Sequence, residues 1–143
     1  AAAVAVAERF VAACILRDPE NADEYLAQVG PDNVLDHGFR CIIEAAIEVR
    51  RNGQLPTLEA VYLALTRAGR AADFDAAGGL GPYLADVFAS TPTVVGFEPM
   101  AAEVREAATF RRYATLAAAF AAESADPLDP APEIGAKYAT LID

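Results

Sequence analysis

Residues 98–124 read EPMAAEVREAATFRRYATLAAAFAAES. The stretch contains no Gly and, after Pro99, no Pro, and most of its residues are good helix formers. The pattern predicts one helix from Glu98-Pro99 to about Ser124, with Pro99 tolerated in the first turn. At 1.5 Å per residue it extends roughly 40 Å, longer than a small head needs. Its apolar residues do not keep one face. Met100 and Val104 define one stripe, and Phe110, Tyr113, Leu116, Ala117 and Phe120 define a shifted, broader one. A shift of that kind implies two successive packing partners, the head first and something else later. Downstream, Asp126-Pro127-Leu128-Asp129-Pro130 is a tight turn, and a short returning helix is expected over about Pro132 to Ile142, carrying Ile134, Tyr138 and Leu141. Long helix, turn and returning helix make an αα-hairpin.

Upstream the chain reads as helices separated by Gly and Pro. Val4, Ala7, Val11, Cys14 and Ile15 share one face of a first helix that stops before Asp18-Pro19. Asp18 is expected to cap a short second helix, with Pro19 in its first turn, that ends at Gly30-Pro31. A third helix is expected from about His37 to Arg51, with Phe39, Ile42, Ile43, Ala46 and Ile47 inward. Arg40 with Glu44, and Glu48 with Arg51, stand at ion-pair spacing on its outer face. Asn52-Gly53 closes it. Thr57 caps a fourth helix, in which Leu58, Val61, Tyr62 and Leu65 keep helical spacing until Gly69. Residues 70–77 read as a loop, and Gly78-Gly79 leads into a fifth helix with Tyr83, Leu84, Val87 and Phe88 inward. No strand or internal repeat is evident. The expected fold is all-α, a helical head over residues 1–96 followed by a helical hairpin over 97–143, the two forming one structural unit.

Composition agrees and excludes several functions. Alanine is about a quarter of the 143 residues, and 55% of the chain is hydrophobic, too much for disorder. The formal net charge is -10, Lys137 is the only lysine, and the arginines are scattered from Arg9 to Arg112. Such a chain repels phosphate, so direct nucleic-acid binding is not expected. Residues 1–16 are too short and too charged to span a bilayer, and they lack a basic signal-peptide start, so no membrane role is expected. Cys14 and Cys41 sit among apolar residues and read as buried free thiols, in keeping with a reducing, cytoplasmic compartment. The chain opens without Met, as an excised or processed domain would.

The chemistry of a catalyst is missing. There is no P-loop: Gly78-Gly79-Leu80-Gly81 has no following Lys, and Lys137 has no glycine loop. His37 is a lone histidine, expected at a helix start, and it cannot build a metal site with two cysteines that fall in separate helices. The acidic pairs Asp23-Glu24 and Asp73 with Asp75 read as solvated carboxylates. No catalytic, cofactor-binding or metal residue is therefore assigned. What remains is an acidic helical domain that points to protein–protein contact, with Phe110, Tyr113 and Phe120 expected to pack against the returning helix, to meet a partner chain, or to serve both.

The order of motifs resembles the N-terminal domain of DnaB-type replicative DNA helicases over nearly the whole chain. The resemblance rests on Ala7-Glu8, the apolar run from Phe10 to Leu16, and Asp18-Pro19-Glu20. It continues with Val34-Leu35, Phe39-Arg40 and the apolar run from Ile42 to Ile47, then with Gly53, Pro56 and Val61 to Leu65. Next comes Gly78-Gly79 with Tyr83-Leu84, and finally Pro92, Val104, Glu106 and Arg111. Phe39-Arg40 stands where the family has His-Arg, Val34-Leu35 where it has Phe-Tyr, and Thr57 where it has Asp, which marks a divergent member.

The resemblance implies a non-catalytic head and hairpin that associates with its own kind into a ring-shaped collar and docks primase or other replication proteins. ATP and Mg would then belong to a motor domain outside this chain. Phe110, Tyr113, Leu116, Phe120, Tyr138 and Leu141 are the candidate association face. A stand-alone interaction module or helicase loader with the same fold, or the helicase-binding domain of primase, is the alternative reading.

Overall fold

The structure, a computed structural model, describes residues 2–124. The expected returning helix, with Tyr138 and Leu141, lies outside the described residues. Among the described residues six α-helices carry the fold: α1 (Ala2–Arg17), α2 (Ala22–Gln28), α3 (His37–Arg51), α4 (Leu58–Arg67), α5 (Leu80–Ala89) and α6 (Phe97–Ser124). Three 3-10 segments, Pro19–Asn21, Pro31–Asn33 and Ala71–Ala77, join them. No strand occurs among the described residues, and the fold is all-α.

The core forms around α1, which packs against α2, α3, α5 and α6. One apolar face was expected on this helix, yet from Val11 to Leu16 every side chain is buried. Ala12 and Ala13 account for the difference. Their small side chains let neighbouring helices close on the sides of α1 that the periodicity leaves unassigned. Ile15, Leu16, Ile42, Ile43, Leu84 and Val104 fill the interior around it.

Local chemistry sets most boundaries. The Asp36 side chain accepts the Phe39 N–H and starts α3; Asn52 caps its end, and Gly53 follows at φ +78°. Thr57 accepts the Ala60 N–H and starts α4. Gly78 and Gly79, at φ +91° and +108°, turn the chain into α5 in a conformation that side-chain-bearing residues rarely adopt.

Three local expectations are corrected. Asp18 does not cap a helix: its carboxylate instead accepts hydrogen bonds from the Tyr25 hydroxyl and the Asn21 amide, and the chain after it makes a 3-10 turn before α2 begins at Ala22. Residues 71–77 are not a loop but a 3-10 helix anchored by buried Phe74. The spaced charges of α3 do not pair as expected. Arg40 donates to the Val34 carbonyl at 2.9 and 3.2 Å, Glu44 lies 3.8 Å from Arg70, and no ion pair joins Glu48 to Arg51 among the described residues.

Candidate interaction surface

Helix α6 is two-sided. Phe97, Ala101, Val104 and Ala108 are buried against the head at spacings of four, three and four residues; of the expected Met100–Val104 stripe, Val104 lies in this seam and Met100 at its half-buried rim. Beyond Ala108 no described residue of α6 is buried. Phe110, Tyr113 and Phe120 are 75%, 53% and 39% exposed, and Leu116 is half-buried. With 3.6 residues per turn, Phe110, Tyr113 and Phe120 fall on roughly the opposite side of the helix from the buried seam. A shallow depression of about 460 Å³ lies beside Phe110 and Tyr113, lined also by Ala102, Arg105, Glu106 and Thr109. The shifted stripe of the sequence is thus an outward-facing aromatic edge, which the head cannot cover.

The remaining positions singled out in the sequence hold the head together. Glu8 is 1% exposed, and its carboxylate accepts the backbone N–H groups of Leu35 at 2.8 Å and Asp36 at 3.0 Å. It fixes the turn that launches α3. Arg40 clasps the Val34 carbonyl in the same turn. Arg111 donates to the Asn33 carbonyl at 3.0 Å and so ties α6 to the 3-10 turn at Pro31–Asn33. Hydrogen bonding by Tyr25 and Asn21 holds the Asp18 carboxyl below its ordinary value, and the Tyr25 ring lies 4.4 Å from that of Phe97 at the start of α6.

Tyr83 packs 4.8 Å from Phe74 and 6.4 Å from Phe39, and burial pushes its hydroxyl pKa up. Leu84 is fully buried. The residues that depart from the family pattern are therefore accommodated: Phe39 enters an aromatic cluster, Val34 is buried, and Thr57 caps its helix. Leu35 alone among them points outward, at 61% exposure.

The two cysteines are free and buried. Cys14, at 0% exposure, has its pKa pushed up to about 12 by burial and then by the nearby Asp18 charge. Cys41 is different. It lies one helical turn after His37 on α3, with its sulfur 3.5 Å from His37 Nε2, and His37 Nε2 is 2.9 Å from an Asp73 carboxylate oxygen. The expectation that His37 stands apart from both cysteines is corrected in its geometry: Cys41 and Asp73 lie beside it. Only Cys14 is in a separate helix; Asp73 arrives from the 3-10 segment that the sequence does not reveal. The acidic pairs are solvated as expected, with Asp23, Glu24, Asp73 and Asp75 all exposed; within them Asp73 meets His37, and Asp23 pairs with Arg50 at 2.8 Å, which holds its carboxyl below the ordinary value.

Comparison with known proteins accords with this architecture. The profile of the family described as "DnaB-like helicase N terminal domain" matches residues 3–106. The chain belongs to this family. Among solved structures, the N-terminal domain of DnaB helicase from Mycobacterium tuberculosis is similar, with 20% identity and a TM-score of 0.81, over 95% of this chain and 93% of that one. At that identity the likeness concerns the fold. A comparison with the curated proteins finds no match. The chain is thus an all-α domain of the DnaB-like helicase N-terminal type. No helix among the described residues is long and apolar enough to cross a membrane.

Proposed function

We propose that this domain is an assembly and docking platform: it associates with further copies through the outer edge of α6, and it offers its surface to primase or another replication protein. The observation that carries the reading is the placement of Phe110, Tyr113 and Phe120 on the side of α6 turned away from the head. Exposed aromatic residues clustered on one helix face are characteristic of surfaces that bind another protein. Family membership supports the same reading, since the resemblance implies a collar built by such domains. In a full-length helicase, ATP and Mg would be handled by a motor domain outside this chain, and contact with DNA would fall to that domain. The net charge of -10 fits a domain that does not hold the phosphate backbone itself.

Light scattering on the 143-residue chain tests self-association. A mass above the monomer that rises with concentration is expected, together with complex formation on mixing with the helicase-binding domain of primase. A strict monomer at high concentration that also ignores primase overturns the proposal.

A further inference from the structure

The cluster formed by His37, Cys41 and Asp73 joins three side chains of different metal-binding chemistry. The ligand atoms all lie within 4.8 Å of one another. His37 and Cys41 are four residues apart on α3, so the helix itself stacks imidazole over thiol. Asp73 is delivered from the segment Ala71–Ala77, whose position is fixed by buried Phe74 and by the Gly78-Gly79 turn. His37 and Asp73 are exposed and form the mouth, while Cys41 is buried at the base.

We infer that His37, Cys41 and Asp73 form a binding site for a divalent transition metal of the zinc class, with water in the fourth position. One imidazole, one thiolate and one carboxylate make a three-ligand set of the kind that leaves zinc an open coordination position. Two of the three separations are near those this ion needs, and the third, Cys41 to Asp73, lies within 4.8 Å and closes by at most about 1 Å as the exposed Asp73 side chain swings in. Bonds of about 2.0–2.3 Å in a tetrahedron place ligand atoms about 3.3–3.7 Å apart. His37 Nε2 and the Cys41 sulfur already stand at 3.5 Å. The His37–Asp73 pair, at 2.9 Å, has to open by only about half an ångström, which exposed side chains do readily. The acidic chain favours a dication at its surface.

One group opposes binding. Arg70 donates to the Cys41 sulfur at 3.2 Å and lies 3.8 Å from Glu44. The metal takes the place of both this donor and the thiol proton, which leaves to solvent, and Arg70 retains Glu44 as its partner. Occupancy would cross-link the 3-10 segment to the start of α3 and so brace the approach to the Gly78-Gly79 turn.

Cobalt(II) added to the reduced 143-residue chain tests the site. One equivalent is expected to bind with a thiolate-to-cobalt charge-transfer band and the visible absorption of tetrahedral cobalt, and zinc is expected to bleach both. Cys41→Ser should abolish the charge-transfer band, and Cys14→Ala should retain it. His37→Gln and Asp73→Asn alter exposed side chains and leave the core intact; each should weaken zinc binding by more than about tenfold, as loss of a direct ligand exceeds the usual effect of an outer-shell change. Arg70→Ala should tighten it. Absence of the charge-transfer band at saturating cobalt, its loss in Cys14→Ala, or unchanged zinc affinity in both His37→Gln and Asp73→Asn overturns the inference.

Discussion

The carboxylate of Glu8 on α1 accepts the backbone N–H groups of Leu35 and Asp36, at 2.8 and 3.0 Å, across 27 and 28 residues of chain. This buried charge is the link between the central helix and the turn that starts α3. Replacing Glu8 with Ala leaves two N–H groups without their acceptor in a poorly hydrated place. The expected cost is about 3 kcal/mol, because hydrogen bonds to charged groups exceed neutral ones. Urea denaturation of Glu8→Ala checks it, and a loss below about 0.5 kcal/mol would show that water replaces the carboxylate.

Gly38 leaves room for a tyrosine. A Cβ built there overlaps the Tyr83 hydroxyl oxygen and comes within 2.8 Å of its Cζ. Gly38→Ala should therefore destabilise the domain by about 1–3 kcal/mol through overpacking, although Ala is the better helix former. A smaller ring-side residue should relieve the clash. Gly38→Ala combined with Tyr83→Leu is expected to cost less than the sum of the single changes, by about 1 kcal/mol in a thermal or urea cycle. Strict additivity would mean that the two residues do not meet.

The outer edge of α6 separates association from folding. Phe110→Asp changes a side chain that is 75% exposed, so its effect on stability should stay within about 0.5 kcal/mol. Self-association measured by analytical ultracentrifugation should fall at the same time, and helicity by circular dichroism should be unchanged. Phe120→Asp should behave likewise. A large loss of helicity in either variant would place that ring in the intrachain core.

Acid should weaken the Asp18 contacts. The folded-state pKa of Asp18 is lowered from 3.8, first by the hydrogen bond from Tyr25 and then by that from Asn21. The ionised form is thus favoured in the folded protein. Its contribution to stability is fully present above the ordinary value and is lost as pH falls through the lowered one. Stability curves for the parent chain and Asp18→Asn should therefore converge below about pH 4 and separate above it. Parallel curves throughout would refute the assignment.

How much of this was legible in the sequence depends on whether the cause is local. The ends of α3 are written in Asp36 and in Asn52-Gly53, and the run of α6 in an absence of breakers, so both were readable. The complete burial of α1 was not, because the alanines that permit it look the same on a surface as in a core. The segment Ala71–Ala77 offers one apolar anchor, Phe74, and a single anchor has no period. His37 and Cys41 stand at visible helical spacing, but Asp73 reaches them from 36 residues beyond His37, through a segment whose helical turn leaves no pattern. The two stripes of α6 were legible as a shift; their opposition became evident only when Phe97, Ala101, Val104 and Ala108 defined the inner side.

That opposition makes α6 a keyed shaft. One continuous hydrogen-bonded rod carries both the seam gripped by the head and the aromatic edge, so the azimuth between them is set by residue count alone. A single residue inserted after Ala108 would turn the outer edge by about 100° about the shaft and advance it by about 1.5 Å. Seven inserted residues would restore its direction to within about 20° while moving it about 10 Å farther out. The orientation that the head imposes on whatever meets the edge is therefore carried in the phase of the helix.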